Sequence, residues 1–149
     1  MGKITFGSTY SEILKVVDKL QYYEKFYICS GTYVDSPYSV YREVMKYDGI
    51  PIAFIEIFRF PHNPKDVGFL ITACVEEFRH KNYVTLLIWR ALSILNNMGI
   101  KYLLWSVKDD NDNSVKFAKK LGFKINQKTP ISVIEKTTYP ILKREHLIE

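Results

Sequence analysis

The chain has 149 residues, 47% hydrophobic and 25% charged, with a net charge of +5. That is one domain's worth of chain with ordinary globular composition, which excludes a disordered tail, a collagen-like repeat and a low-complexity linker. Its size also allows a core to be buried without covalent staples.

Residues 3–6 read as a short strand. Ser8 or Thr9 then offers a helix N-cap, and Glu12, three residues after Thr9, completes a capping box. Ile13, Val16, Val17 and Leu20 recur at helical spacing and predict an amphipathic helix. Residues 22–28 continue it or form a second short helix, and 29–39, with Gly31, Asp35, Ser36 and Pro37, read as a loop. Residues 40–47 and 50–60 are β-branched and aromatic runs joined by Asp48-Gly49, a strong hairpin signal. A turn at 61–66 and a third strand at 67–75 complete an antiparallel meander.

Residues 83–95 are apolar almost all round and predict an interior helix, with Gly99 behind it as a left-handed cap. Residues 100–107 read as a strand, and 109–113 supply caps for a helix ending at Leu121, with Gly122 as its own cap. Residues 123–126 and 132–142 read as strands, the last crossed by Pro140 and so placed at a sheet edge. The fold class is α/β, a mixed, mostly antiparallel sheet flanked by helices, in a single domain over residues 1–149. An exposed edge at 132–142 would let a second copy pair with it as a homodimer.

Cys29 and Cys74 are too few for a disulfide framework and lack metal-ligand spacing. No apolar run is long enough for a membrane span and the start lacks an apolar leader, so a cytoplasmic protein with no metal and no membrane partner is expected. The basic residues form no block of five or six, which weakens a nucleic-acid reading of the positive charge. His62, His80 and His146 are scattered and support neither a Ser/His/Asp arrangement nor a metal pair.

The start of the helix near Tyr83 presents unpaired N–H groups and partial positive charge, which suits a phosphate. Arg79 and Lys81 add fixed charge beside His80. A diphosphate held by consecutive main-chain N–H groups is one reading of this loop, and an ordinary basic helix start is the other.

Two runs carry a further signal. Arg79-His80-Lys81-Asn82-Tyr83-Val84 follows Cys74-Val75-Glu76-Glu77-Phe78, and Asn111 precedes Gly122-Phe123 by eleven residues in a stretch ending Lys120-Leu121-Gly122-Phe123. These runs, with the element order over residues 40–142, resemble the GNAT family of acyl-CoA-dependent N-acyltransferases. Its first signature is Arg or Gln, two residues, Gly, one residue, then Gly or Ala.

The resemblance implies a GNAT-like fold and transfer of an acetyl group from acetyl-CoA (coenzyme A) to an amine, on a small molecule or a protein, by direct attack. It implies cofactor contacts at Cys74, Glu76, Arg79, His80, Lys81, Asn82, Tyr83, Val84, Asn111, Phe117 and Lys120. The backbone amide of Cys74 is the implied oxyanion donor, and its thiol reads as a small core residue. Glu56 and Asp66 are the candidates for a general base, acting directly or through water.

Three residues depart from the family pattern. Asn82 stands where the family has its first small residue and can still enter left-handed geometry. Val84 replaces a small residue and is expected to crowd an approaching phosphate. Ala118 replaces a tyrosine that in many members protonates the departing thiolate, leaving Tyr83 and Tyr139 as alternative donors. The alternative reading is a catalytically degenerate GNAT-fold protein that binds acyl-CoA or a protein partner.

Overall fold

The computed structural model describes residues 2–20, 35–105 and 112–148. The expectations for residues 22–28, for Cys29 and for Asn111 lie outside the described residues.

The chain opens with β1 (Ile4–Gly7) and α1 (Tyr10–Val17). The α1 start is the capping box expected: Glu12 N–H donates to Thr9 Oγ1 at 3.1 Å while Thr9 N–H donates to Glu12 Oε1 at 3.1 Å. Lys46 Nζ lies 2.8 Å from Glu12 Oε2 and ties α1 to the sheet. That hydrogen bond, with those from Thr9, pulls the Glu12 carboxyl down to about 2.

The meander is β2 (Ser39–Tyr47), β3 (Ile50–Phe58) and β4 (Val67–Cys74). Asp48 and Gly49 both take positive φ, 50° and 82°, as the tight hairpin requires. A short 3₁₀ turn (Glu76–Phe78) leads to α2 (Tyr83–Asn97), which is capped by Gly99 at φ 84°. Then follow β5 (Tyr102–Leu104), α3 (Asp112–Lys120), β6 (Thr129–Pro130) and α4 (Ile131–Arg144). The strands form one sheet in chain order, antiparallel throughout except between β4 and β5. It is a mixed α/β fold with a mostly antiparallel sheet flanked by helices.

Alternation along β3 sorts the core onto two faces. Phe54 joins Ile13, Val16 and Val44 beneath α1. Ile55 and Ile57 join Leu87, Ile88, Ala91 and Leu95 of α2. No helix among the described residues is long and apolar enough to cross a membrane.

The C-terminal expectations are corrected. Residues 131–144 form helix α4, and Ile131, Ile134, Thr138, Ile141 and Leu142 are its buried side. Pro140 lies inside that helix, on its exposed face, rather than on an edge strand. Residues 123–126 are not a strand either: Asn126 adopts φ 58°, and Lys124 N–H donates to Thr129 Oγ1 at 2.9 Å. The edge proposed for pairing a second copy is therefore helical, its main chain bonded within α4. The strand expected at 100–107 is confined, among the described residues, to Tyr102–Leu104.

Candidate functional site

The site begins where the described part of the β4–β5 ladder ends. The β4–β5 ladder runs Val67↔Tyr102, Gly68↔Leu103 and Phe69↔Leu104, and among the described residues 70–74 have no β5 partner. On its other side β4 stays paired with β3 as far as Ala53↔Cys74, and Val75 N–H donates to Ile52 O at 2.8 Å. Because antiparallel neighbours alternate between hydrogen-bonded and open pairs, Cys74 occupies an open pair with β3. Its N–H and C=O, like those of Thr72, consequently turn away from β3, into the gap that the described residues leave beside β4.

The carbonyl on that edge is satisfied by Arg79, whose Nε donates to Cys74 O at 2.9 Å. The Cys74 side chain is buried and its Sγ lies 3.4 Å from Val75 O. Burial pushes the thiol up to about 11 despite the opposing pull of Arg79, so it stays protonated near neutral pH. The Cys74 side chain is thus a buried thiol, the inert kind rather than an exposed thiolate.

Arg79 also starts the loop into α2. His80 and Asn82 both adopt left-handed conformations, at φ 66° and 59°. Asn tolerates this geometry, as expected at position 82, whereas the left-handed His80 carried no signal in the sequence. Asn82 is the N-cap and makes no side-chain cap hydrogen bond, so the first-turn N–H groups of α2 face outward without a side-chain acceptor from it. His80 and Lys81 are exposed, and Tyr83 is half-buried. Glu76 is exposed, and its carbonyl accepts from Arg79 N–H at 3.1 Å.

Val84 departs from expectation. Its side chain is 8% exposed and belongs to the core cluster that contains Cys74, Leu87 and Ile88. It lies within α2, where no positive φ is needed, and it points inward rather than over the loop. Left-handed geometry falls on His80 and Asn82 instead.

The remaining candidates divide. Phe117 is half-buried and meets Trp105 edge-on at 6.0 Å, while Lys120 on the same helix is exposed. Ala118 is fully buried in the main cluster. Tyr139 packs on Trp89 at 5.5 Å, and its hydroxyl accepts from Lys143 Nζ, which places it on the outer side of α2 and α4. Asp66 stands just before β4, where its carbonyl accepts from Lys101 and Tyr102 N–H. The length of β4, roughly 25 Å, separates it from Cys74, so Asp66 is not brought into the site.

Glu56 is nearer but not adjacent. It sits opposite Ile71, three residues along from the level of Cys74, or roughly 10 Å. That separation puts the gap beyond direct hydrogen-bond reach of the Glu56 carboxyl. Its carboxyl is 1% exposed, Oε2 accepts from Arg42 Nε at 2.6 Å, and burial pushes it up to about 7. The partner Arg42 was not evident in the sequence. Two open clefts, of about 470 and 370 Å³, lie along α2 and α4, away from this loop.

Residues 10–123 match the model of the acetyltransferase (GNAT) family. The chain belongs to this family. No curated protein sequence matches it. Among solved structures it is similar to an uncharacterised protein from Bacillus halodurans, with a TM-score of 0.70 at 11% identity over 97% of this chain and 92% of the other. It is also similar to the GNAT domain of PAT from S. lividans, with a TM-score of 0.68 at 11% identity over 83% and 81%. A third similar structure is the PaiA N-acetyltransferase from Thermoplasma acidophilum in complex with coenzyme A, with a TM-score of 0.63 at 16% identity over 82% and 90%. These likenesses establish the shared fold.

Proposed function

We propose that this GNAT-family protein is an acetyl-CoA-dependent N-acetyltransferase that acts on an amine by direct attack. One observation carries the reading: the edge of β4 at Cys74, which has no partner on its β5 side among the described residues, and the left-handed loop from Arg79 to Asn82 are joined by a hydrogen bond into one surface rich in main-chain N–H. The donor set fits a diphosphate followed by a thioester arm, since it offers outward N–H groups, a helix start and flanking cations.

When bound, acetyl-CoA supplies an activated acetyl group. The first-turn N–H groups of α2, with Arg79 and Lys81, hold the diphosphate. Phe117 and Lys120 flank the arm from α3. The Cys74 N–H, turned into the gap, is preorganised to receive negative charge as it develops on the carbonyl oxygen. Holding amine and carbonyl together supplies much of the remaining acceleration. The amine proton leaves through water, because neither Glu56 nor Asp66 reaches the gap directly.

A second reading, acyl-CoA binding without turnover, is favoured by one observation: Ala118 is a buried methyl group with no proton to give. A thiol-release assay with acetyl-CoA and a broad amine panel separates the two. Turnover with at least one amine is expected; bound coenzyme A without release for any acceptor would leave the binding reading in its place.

A further inference from the structure

We infer that the α1-side face of the sheet holds a subsite for a second cationic group of the acceptor, so that the preferred substrates are amines bearing two positive charges roughly 10 Å apart. The identity of the reacting centre rests on the acetyltransferase reading.

Among the described residues, Glu56 Oε1 and Ser39 Oγ are buried side-chain oxygens without a hydrogen-bond partner. Such atoms are uncommon in folded proteins, and a bound polar group is one way to satisfy them. The two belong to one patch. Ser39 pairs with Phe58 and Arg42 with Glu56, so Ser39 and Glu56 are diagonal neighbours on the α1 side of β2 and β3. That spacing, roughly 7 Å, can be bridged by one small donor group.

The surrounding charges select the donor. Arg42 is committed, with Nε on Glu56 Oε2 and its other end on Asp35, and its guanidinium lies over the Tyr10 ring. When Glu56 is ionised, two carboxylates against one guanidinium leave the cluster one negative charge. Glu56 Oε1 can only accept when ionised, and a serine hydroxyl can accept as well, so a primary ammonium satisfies both at once. Phe58 shares this face and stacks on Phe60 at 5.5 Å, supplying an apolar wall. Burial alone favours the protonated carboxyl, and an incoming ammonium takes the place of that proton.

The position makes this a second group rather than the reacting one. Glu56 lies three residues along the sheet from the level of Cys74, and the gap lies on the far side of β4. A cation held here sits too far from the gap to attack, yet a chain of about eight carbons reaches both places.

The test uses the full chain and three probes: n-octylamine, the α,ω-diamine of the same chain length, and the three-carbon diamine. Thiol release from acetyl-CoA is expected to favour the long diamine over octylamine by about tenfold in kcat/KM, through KM, with no such gain for the short diamine. Glu56→Gln and Ser39→Ala should each erase that ratio, and Ser39→Ala should leave octylamine turnover unchanged. Equal kcat/KM for the two long amines, or a ratio that survives both substitutions, overturns the inference while the transferase reading stands. Should no amine support turnover, thermal shift decides. A larger rise in Tm with the long diamine than with octylamine, lost in both variants, retains the subsite although the transferase reading fails; equal shifts remove it.

Discussion

Arg79 Nε donates to the main-chain carbonyl of Cys74 at 2.9 Å, across five residues of chain. The bond couples the strand edge proposed to hold the acetyl carbonyl to the loop proposed to hold the diphosphate, so displacing one displaces the other. A half-buried carbonyl deprived of its donor costs about 1–3 kcal/mol. Arg79→Ala is therefore expected to lower stability by that order and to weaken coenzyme A binding about tenfold. Lys81→Ala, at an exposed position, should weaken binding while leaving Tm nearly unchanged. Parallel chemical denaturation and calorimetry on the two variants check the contrast.

Two of the departures from the family pattern, Val84 and Ala118, have opposite meanings from those the motif suggests. Val84 fills core space, so Val84→Gly adds a cavity and a helix glycine and should cost about 2–4 kcal/mol without improving coenzyme A affinity. Ala118 is enclosed, and Ala118→Tyr should overpack the core by about 1–3 kcal/mol or more rather than restore a proton donor. Denaturant midpoints alongside cofactor titrations distinguish these outcomes from a gain of function.

Glu56 makes stability depend on pH in a defined direction. Its carboxyl is raised from 4.5 to about 7 in the folded chain, so the folded state holds the proton more tightly than the unfolded one. Its contribution is fully present below about 4.5 and is lost as pH rises through 7. Glu56→Gln should flatten the melting-temperature profile between pH 5 and about 8. Glu12 works in the reverse sense, because its lowered carboxyl stabilises above 4.5 and loses that contribution as pH falls toward 2.

Thr9→Ala removes the acceptor for Glu12 N–H and should destabilise the chain by about 1 kcal/mol. α1 covers the face bearing Phe54 and Val44. Protection from amide exchange in α1 should therefore drop before protection in β3 does.

Local chemistry was the part of the fold most legible in the sequence. Thr9 with Glu12, Asp48-Gly49 and Gly99 each act within a few residues, and each appears in the structure as the sequence implies. Residues 132–142 read as a strand because Val133, Ile134, Thr137 and Thr138 are β-branched and Pro140 mimics an edge marker, yet they lie within helix α4. The helical spacing of the buried side was present but outweighed by composition. Contact with α2 decides the matter in the fold, as tertiary packing often overrides propensity.

The pairing of Glu56 with Arg42 was hidden for a different reason. Counting back from the Asp48-Gly49 turn sets Arg42 opposite Ile55. Pro51 has no N–H for the ladder, and the register shift between Met45 and Lys46 moves Arg42 opposite Glu56. A one-residue slip of this kind exchanges the faces of the sheet, which no local motif reports. At the candidate site, the charged helix start pointed to the Arg79-to-Asn82 loop and the family resemblance to the Cys74 main chain, whereas the inward direction of Val84 depends on where α2 packs.

Thermal unfolding with coenzyme A and with pantetheine, which has the same arm but no diphosphate, tests the central claim most directly. A ligand that binds only the folded chain, at about a hundred times its Kd, adds about 2.7 kcal/mol, or roughly 5–10 °C for a domain of this size. The account predicts a shift of that order with coenzyme A, little or none with pantetheine, and a reduced shift in Arg79→Ala. Equal shifts with both ligands, or none with millimolar coenzyme A, would contradict it.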